Sequence, residues 1–350
     1  MNKFLDEILE QPNALKDTLA FYENGPGKEL LQKALNLYKD HQISCILLTG
    51  MGSSFFSSYL ASCLLNKFGI RASAVNASEL LHYHFSLIRK DTLLVCVSQS
   101  GESYEIVELL QKLPDDIRCL AITNSVSSRL AKMGSEVLFS KAGHEEMTST
   151  KSYVSMALVK LIFSWALAGE WTRTKRDEIR QLISSIDGLL KNHQAWMPEI
   201  SHFLGEYDYI EIIGRGPAWS SVSQGALMFK EAVRNPAGGS FGGEFRHGPM
   251  EMVGEGFRGF LFAPRGNTFD QSLKMAQDIA RFKGKVIIIS NRDLSISDPN
   301  MYVLKMDVQD EYLFAIGSII PLQFMVNSRA MELGREPGYF IRGSKITDTE

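Results

Sequence analysis

The apolar run Leu93-Leu94-Val95-Cys96-Val97, ended at once by Ser98-Gln99-Ser100-Gly101-Glu102-Ser103, constrains this chain more than any other segment. Five consecutive apolar residues with no polar alternation call for a strand covered on both faces, which means a parallel sheet between helix layers. The hexapeptide must then be a tight turn, because Glu105-Ile106-Val107-Glu108-Leu109-Leu110 follows with a helical pattern. A strand, a hydroxyl-rich turn and a helix start set unpaired backbone N–H groups and the positive end of a helix dipole behind three serines and a glutamine. Such a turn can hold an anion with neutral donors alone. An N-cap serine in an ordinary loop accounts for the same residues, so the turn gains meaning only from its company.

That company is a repeated plan. Strands are expected at Ile43–Leu48, Ser73–Val75, Thr92–Val97, Arg118–Thr123 and Glu136–Phe139, with helical pieces between them. From Lys151 to about Glu206 the pattern is almost wholly helical. A second series then begins at Tyr209–Ile213 and continues with Phe257–Phe262, Val286–Ile289 and Tyr302–Lys305, followed by one long helix over Glu311–Leu333. Thr49-Gly50-Met51-Gly52-Ser53-Ser54 and Ile213-Gly214-Arg215-Gly216-Pro217-Ala218 occupy matching places in the two series. The expected fold is therefore α/β, a duplicated doubly wound parallel sheet flanked by helices. The divisions expected are a helical lead-in over 1–30, a first domain over 31–200, a second over 201–333 and a tail over 334–350.

Gly50-Met51-Gly52 does not open a dinucleotide fingerprint, since the third glycine would fall on Phe55. Ser53 and Ser54 instead repeat the chemistry of the hexapeptide, and Thr148-Ser149-Thr150 adds a third hydroxyl cluster before a helix. Three such turns in one domain point to phosphate. In the second half, Gln224, Met228 and Glu231 follow a four-then-three spacing that puts them on one helix face. His247 stands in Gly242-Gly243-Glu244-Phe245-Arg246-His247-Gly248-Pro249, a glycine-bounded loop shaped to present it. A carboxylate and an imidazole together can carry protons near neutral pH. A solvated helix carboxylate and a loop histidine bonded to backbone are the plain alternatives.

Composition excludes several classes. Net charge is −3, with 22% charged and 45% hydrophobic residues, so no basic footprint for nucleic acid is present. The start Met1-Asn2-Lys3-Phe4-Leu5-Asp6-Glu7 lacks the apolar core of a signal peptide, and the apolar stretches are too interrupted for a bilayer. Cys45, Cys63, Cys96 and Cys119 lie in apolar segments without metal-site or disulfide spacing. These features imply a cytoplasmic protein with no membrane or nucleic-acid partner and no metal.

Taken in order, Gly50–Ser54, Ser98–Ser103, Ser149-Thr150-Lys151, Phe229-Lys230-Glu231, His247-Gly248-Pro249 and Ser344-Lys345-Ile346-Thr347 resemble the sugar isomerase (SIS) superfamily. The likeness is greatest to the isomerase half of glucosamine-6-phosphate synthase and its stand-alone relatives, and runs from Glu10–Ala14 to the tail. It implies two tandem SIS domains. A sugar 6-phosphate would be held by Ser54, Ser98, Gln99, Ser100 and Ser103, with Ser149 contacting the sugar. Glu231 would move a proton between C1 and C2, His247 would assist ring opening, and Lys345 would lie near the open-chain carbonyl. It also implies a homodimer that shares the His247 loop, and no cofactor.

Two departures bear on the reaction. The synthase pattern has Glu and Lys where this chain has Gln224 and Met228, which removes a cation next to the developing enediolate. Gly243-Glu244-Phe245 and Glu251 look more like the fructosamine-6-phosphate deglycases, while Ser98–Ser103 is of the synthase and amino-sugar-deaminase type. No glutamine-hydrolysing domain is expected, since Met1-Asn2 stands where a nucleophilic cysteine would begin one. The expected activity is C1/C2 proton transfer on an aminated hexose 6-phosphate with loss of ammonia or amine. A simple aldose–ketose isomerase and a non-catalytic sugar-phosphate sensor remain the alternatives.

Overall fold

The computed structural model describes residues 2–39, 42–347 and 349; the start at Met1 and the tail residues Asp348 and Glu350 lie outside that description. The chain forms two compact units. One comprises Glu10–Ile179 with Phe340–Glu350, the other Met1–Leu9 with Arg180–Tyr339. The two chain ends are thus exchanged: the opening helix Lys3–Leu9 belongs with the later sequence, where Asn2 Nδ2 donates to Asn327 Oδ1 at 2.8 Å.

In the Glu10–Ile179 unit the strands are β1 (Cys45–Gly50), β2 (Ala72–Asn76), β3 (Thr92–Val97), β4 (Arg118–Thr123) and β5 (Glu136–Phe139). They pair in parallel in the order β2-β1-β3-β4-β5. All six residues of β3 are buried, as the unbroken apolar run requires. In the Arg180–Tyr339 unit, β6 (Ile210–Gly214), β7 (Ala237–Phe241), β8 (Arg258–Ala263), β9 (Lys285–Ser290) and β10 (Met301–Lys305) pair in the order β10-β9-β8-β6-β7. Read from its other edge, that order is the same as in the first sheet. The duplication expected from sequence is present strand for strand.

Two elements depart from the sequence reading. β7, Ala-Gly-Gly-Ser-Phe, was not expected, because paired glycines weaken a strand. Its glycines are set by crowding: a Cβ at Gly239 would meet Val222 Cγ1 at 3.2 Å and Ala226 Cβ at 3.3 Å. The helix expected over Glu311–Leu333 is two helices, Glu311–Gly317 and Ile320–Glu332. Pro321 lacks an N–H and its ring crowds the carbonyl four residues back, which is Gly317, where the first helix stops. The helical stretch after Lys151 likewise divides into Lys151–Leu167, Arg173–Lys191 and His193–Leu204.

Candidate active site

In the first sheet the chain leaves β1 toward β2 on one side and reaches β3 on the other. The crevice between the carboxyl ends of β1 and β3 is therefore the switch point, where open α/β sheets bind ligands. Both serine-rich turns lie there. Gly50 is in register with Val97, and a Cβ on Gly50 would meet the Val97 carbonyl oxygen at 2.8 Å and Ser54 Cβ at 2.9 Å. Only glycine lets the two turns pack this closely.

The Ser98–Ser103 turn is ordered by its own hydroxyls. Ser98 Oγ lies 2.9 Å from Ser103 Oγ and accepts from Gly101 N at 3.1 Å, and Ser100 Oγ accepts from Glu102 N at 3.2 Å. Gly101 has φ +70°, a left-handed conformation, and packs against Ser128 and Thr123. The Gln99 carbonyl accepts from Asn124 N at 3.0 Å and Thr123 Oγ1 at 3.2 Å, tying the turn to the end of β4. Glu102 is drawn away from the crevice by Arg129, whose side chain and backbone N–H both bond it and hold its carboxyl below the usual range. The turn thus presents neutral donors: Ser98 is buried, while Gln99, Ser100 and Ser103 are half-buried.

Ser54 sits in the first turn of the helix Gly52–Lys67, and a buried lysine stands behind it. Lys160 Nζ donates to Ser57 Oγ at 2.5 Å and the Ser54 carbonyl at 3.3 Å from the helix Lys151–Leu167. Sequence reading missed this residue, because a lysine inside an apolar helix gives no signal of what it will face. Burial pushes the Lys160 ammonium well below its ordinary pKa. The folded protein therefore sheds this proton at a lower pH than the unfolded chain. Between the depressed folded value and about 10.4 the unfolded state binds more protons, so wild-type stability rises with pH by up to about 1.4 kcal/mol per pH unit. Denaturant midpoints from pH 7 to 10 should show that rise relative to Lys160→Met; parallel curves would show that the lysine titrates normally.

Ser149 lies half-buried just before Thr150, the residue that precedes the helix Lys151–Leu167. The N-terminus of that helix is filled by Glu145, a residue the sequence reading passed over. Its Oε1 accepts from Thr150 N at 2.9 Å and Ser152 N at 3.0 Å. Lys345 from the tail donates to Glu145 Oε2 at 2.6 Å and to the Met147 carbonyl at 2.5 Å. The structure therefore gathers the turns at Ser54, Ser98–Ser103 and Ser149, with Lys345, into one unit.

Gln224, Glu231 and His247 lie in the other unit. Gln224 and Met228 are fully buried on the helix Trp219–Met228. Glu231 is half-buried in a π-helical turn, Phe229–Val233, that ends in left-handed Arg234. A π turn advances by more residues per rotation than an α turn, so it rotates Glu231 off the face that a regular helix would give it. The four-then-three spacing with Gln224 and Met228 is corrected by that amount.

His247 is exposed, its backbone N–H donating to the Glu244 carbonyl at 2.8 Å. It lies in the crossover from β7 to β8. The preceding Arg246 donates to buried Asp278 at 2.9 Å, and the loop is anchored by Phe245 in a cluster with Ile213, Leu261 and Met275. Glu231 leaves from the opposite face. The helix before it packs on Ile212, whose Cδ1 would lie 2.9 Å from a Cβ at Gly225. Ile212 and Ile213 alternate across the sheet. The second sheet therefore stands between Glu231 and His247, and one copy of this unit does not bring them together.

Among the described residues no helix is long and apolar enough to cross a membrane, and no group of three or more His, Cys, Asp or Glu could hold a metal ion.

Comparison with known proteins agrees with the duplicated fold. The chain is 29% identical over 339 residues to the glutamine–fructose-6-phosphate aminotransferase (isomerizing) of Pyrococcus horikoshii, covering 95% of this chain and 55% of that protein. It is 29% identical over 346 residues to the protein of the same name from Pyrobaculum aerophilum, with the same coverages. The chain thus spans about half the length of the curated relatives it matches. The C-terminal domain of glucosamine-fructose-6-phosphate aminotransferase from Francisella tularensis superimposes with a TM-score of 0.87 at 24% identity, over 97% of this chain and 98% of that one. A glucosamine-6-phosphate deaminase from Thermotoga maritima gives 0.76 at 22% identity, over 98% and 99%. These structural likenesses establish the fold. The SIS domain model matches residues 37–164 and 206–332, one match on each parallel sheet, and the chain belongs to the SIS domain family.

Proposed function

We propose that this protein is a phosphosugar enzyme acting on an aminated hexose 6-phosphate, by proton transfer at C1/C2 followed by addition of water to the resulting C=N carbon, which breaks the C–N bond and releases ammonia or an amine. The observation that carries the reading is the paired turn at the switch point of the first sheet. Its interlocked serines and the helix starts behind them suit a phosphate dianion and leave the substrate's charge as the main charge there. In this reading Ser54, Ser98, Gln99, Ser100 and Ser103 anchor the phosphate, and that remote binding energy orients the reacting carbons. Ser149 and Gln224 contact the sugar. His247 assists ring opening, Glu231 takes the proton from one carbon and returns it at the other, and Lys345 steadies the carbonyl oxygen as it gains charge.

The placement of Glu231 and His247 on opposite faces of one sheet favours a homodimer in which each copy lends His247 to the other. The names of the relatives favour the nitrogen chemistry: a glutamine–fructose-6-phosphate aminotransferase and a glucosamine-6-phosphate deaminase both act on a hexose 6-phosphate bearing or receiving nitrogen. Organic cofactor and metal have no role in this reading, because a base and charge stabilisation suffice next to a carbonyl or iminium. The test is to incubate the protein separately with glucosamine 6-phosphate and a fructosamine 6-phosphate and assay ammonia, amine and hexose phosphate. Interconversion of fructose and glucose 6-phosphates without any nitrogen release would refute the nitrogen chemistry and leave a simple isomerase. The absence of any turnover, with sugar phosphate still bound, would identify a sensor.

A further inference from the structure

We propose that Arg335 is a positioning residue for Glu231, because its guanidinium holds the π-helical turn that carries Glu231. Its effect on turnover rests on the reading above, while the hold on the turn needs no substrate.

Single π turns inside α-helices are rare and concentrate at functional sites. Phe229–Val233 continues the helix Trp219–Met228 without a break. The Phe229 carbonyl accepts from Arg234 N, and from Asn235 N at 3.0 Å. Arg234 then takes the left-handed conformation, φ +56°, which disfavours a residue with a side chain. Glycine is the usual stop at such a place, and here an arginine stands instead. The last carbonyls of the helix lie at its negative end without partners inside the helix, and a cation is the group that suits them.

Arg335 supplies that cation. Its Nη1 donates to the Val233 carbonyl and, at 3.3 Å, to the Arg234 carbonyl. It follows the helix Ile320–Glu332, and its backbone N–H donates to the Ala330 carbonyl at 2.8 Å, which fixes its root. A return bond closes the clasp, since Arg234 Nη1 donates to the Tyr339 carbonyl at 3.4 Å. Phe229, Ala232 and Val233 are buried and fix the inner side of the turn, so the guanidinium acts on the end where the turn stops. Glu231 lies half-buried between these two holds. A π turn contains one residue more than an α turn, and one residue of α-helix is about 100° of rotation. Relaxation of the turn toward α geometry therefore swings Glu231 away from its place. The serine turns, in the other unit, are left as they were.

The experiment combines hydrogen exchange of the whole protein, read on peptides spanning Phe229–Asn235, with steady-state kinetics on whichever aminated hexose 6-phosphate turns over. Arg335→Met should speed exchange there at least about ten-fold, as the two amides on the Phe229 carbonyl open. It should lower kcat at least about 30-fold with KM within about three-fold of the wild type, because the base is displaced and phosphate anchoring is not. Should Arg335→Met fail to fold, Arg335→Lys keeps the charge on a shorter, non-planar head; it should speed exchange and lower kcat, each by at least about three-fold. Unchanged exchange in the variant that folds would overturn the proposal. So would an unchanged kcat, or a KM that rises as far as kcat falls. A wild type without turnover would defeat the proposed reaction instead, and exchange, which needs no sugar phosphate, would then decide the hold on the turn.

Discussion

Glu231→Gln should lower turnover by about 10²–10⁴-fold while leaving sugar-phosphate affinity within about three-fold of the wild type, as expected for removal of a general base that does not touch the phosphate. The substitution keeps size and hydrogen bonding and removes only the proton-carrying oxygen. His247→Ala should also lower turnover, through the ring-opening step that precedes the proton transfer. The two variants together give the sharper result. If each copy lends its histidine to the other, a mixed dimer of Glu231→Gln and His247→Ala contains one site with both defects and one site with neither. Random reassortment makes about half the dimers mixed, so mixing two inactive preparations should recover about a quarter of wild-type activity. No recovery after proven subunit exchange would place Glu231 and His247 in the same copy, against the separation seen across the second sheet.

Gly101→Val should abolish phosphate anchoring. Gly101 has φ +70°, and a side chain there would drive into Ser128 and Thr123. A β-branched residue in the left-handed region costs about 1–2 kcal/mol before any collision is counted. The turn cannot relax cheaply, because Gly101 N is bonded to Ser98 Oγ and the Gln99 carbonyl is bonded from two atoms at the end of β4. The expected outcome is a KM for sugar phosphate raised at least about 100-fold, with a fall in Tm of several degrees. Inorganic phosphate protection in thermal melts separates the two effects. A variant that binds phosphate like the wild type would show that the cradle is elsewhere.

Much of the first unit was legible in the sequence because its signals are local. β3, β4 and β5 fall on the residues expected, since short apolar runs ending in turn residues leave little freedom in where a strand stops. The serines of the hexapeptide and Ser54 are likewise local, and the switch point of the sheet gives them a shared crevice. β7 was illegible: Ala-Gly-Gly-Ser-Phe is a strand because β6 offers it a partner, and it carries glycine because Val222 and Ala226 crowd it. The π turn at Phe229–Val233 was hidden for the related reason that helical spacing rules assume a regular helix.

What the sequence by itself determined was the duplicated strand–turn–helix plan, the hydroxyl-rich turns and the residue types able to move a proton. Each follows from side-chain hydrophobicity and hydrogen-bonding capacity over a few neighbouring residues. The tertiary structure alone decided which of these groups meet. It set Glu145 beneath Lys345, 200 residues apart in the chain, and Lys160 behind Ser54, 106 residues away. It also put a sheet between Glu231 and His247, only sixteen positions apart in the sequence. Burial, counter-charge and the face of a sheet are properties of the packed chain, and no local pattern encodes them.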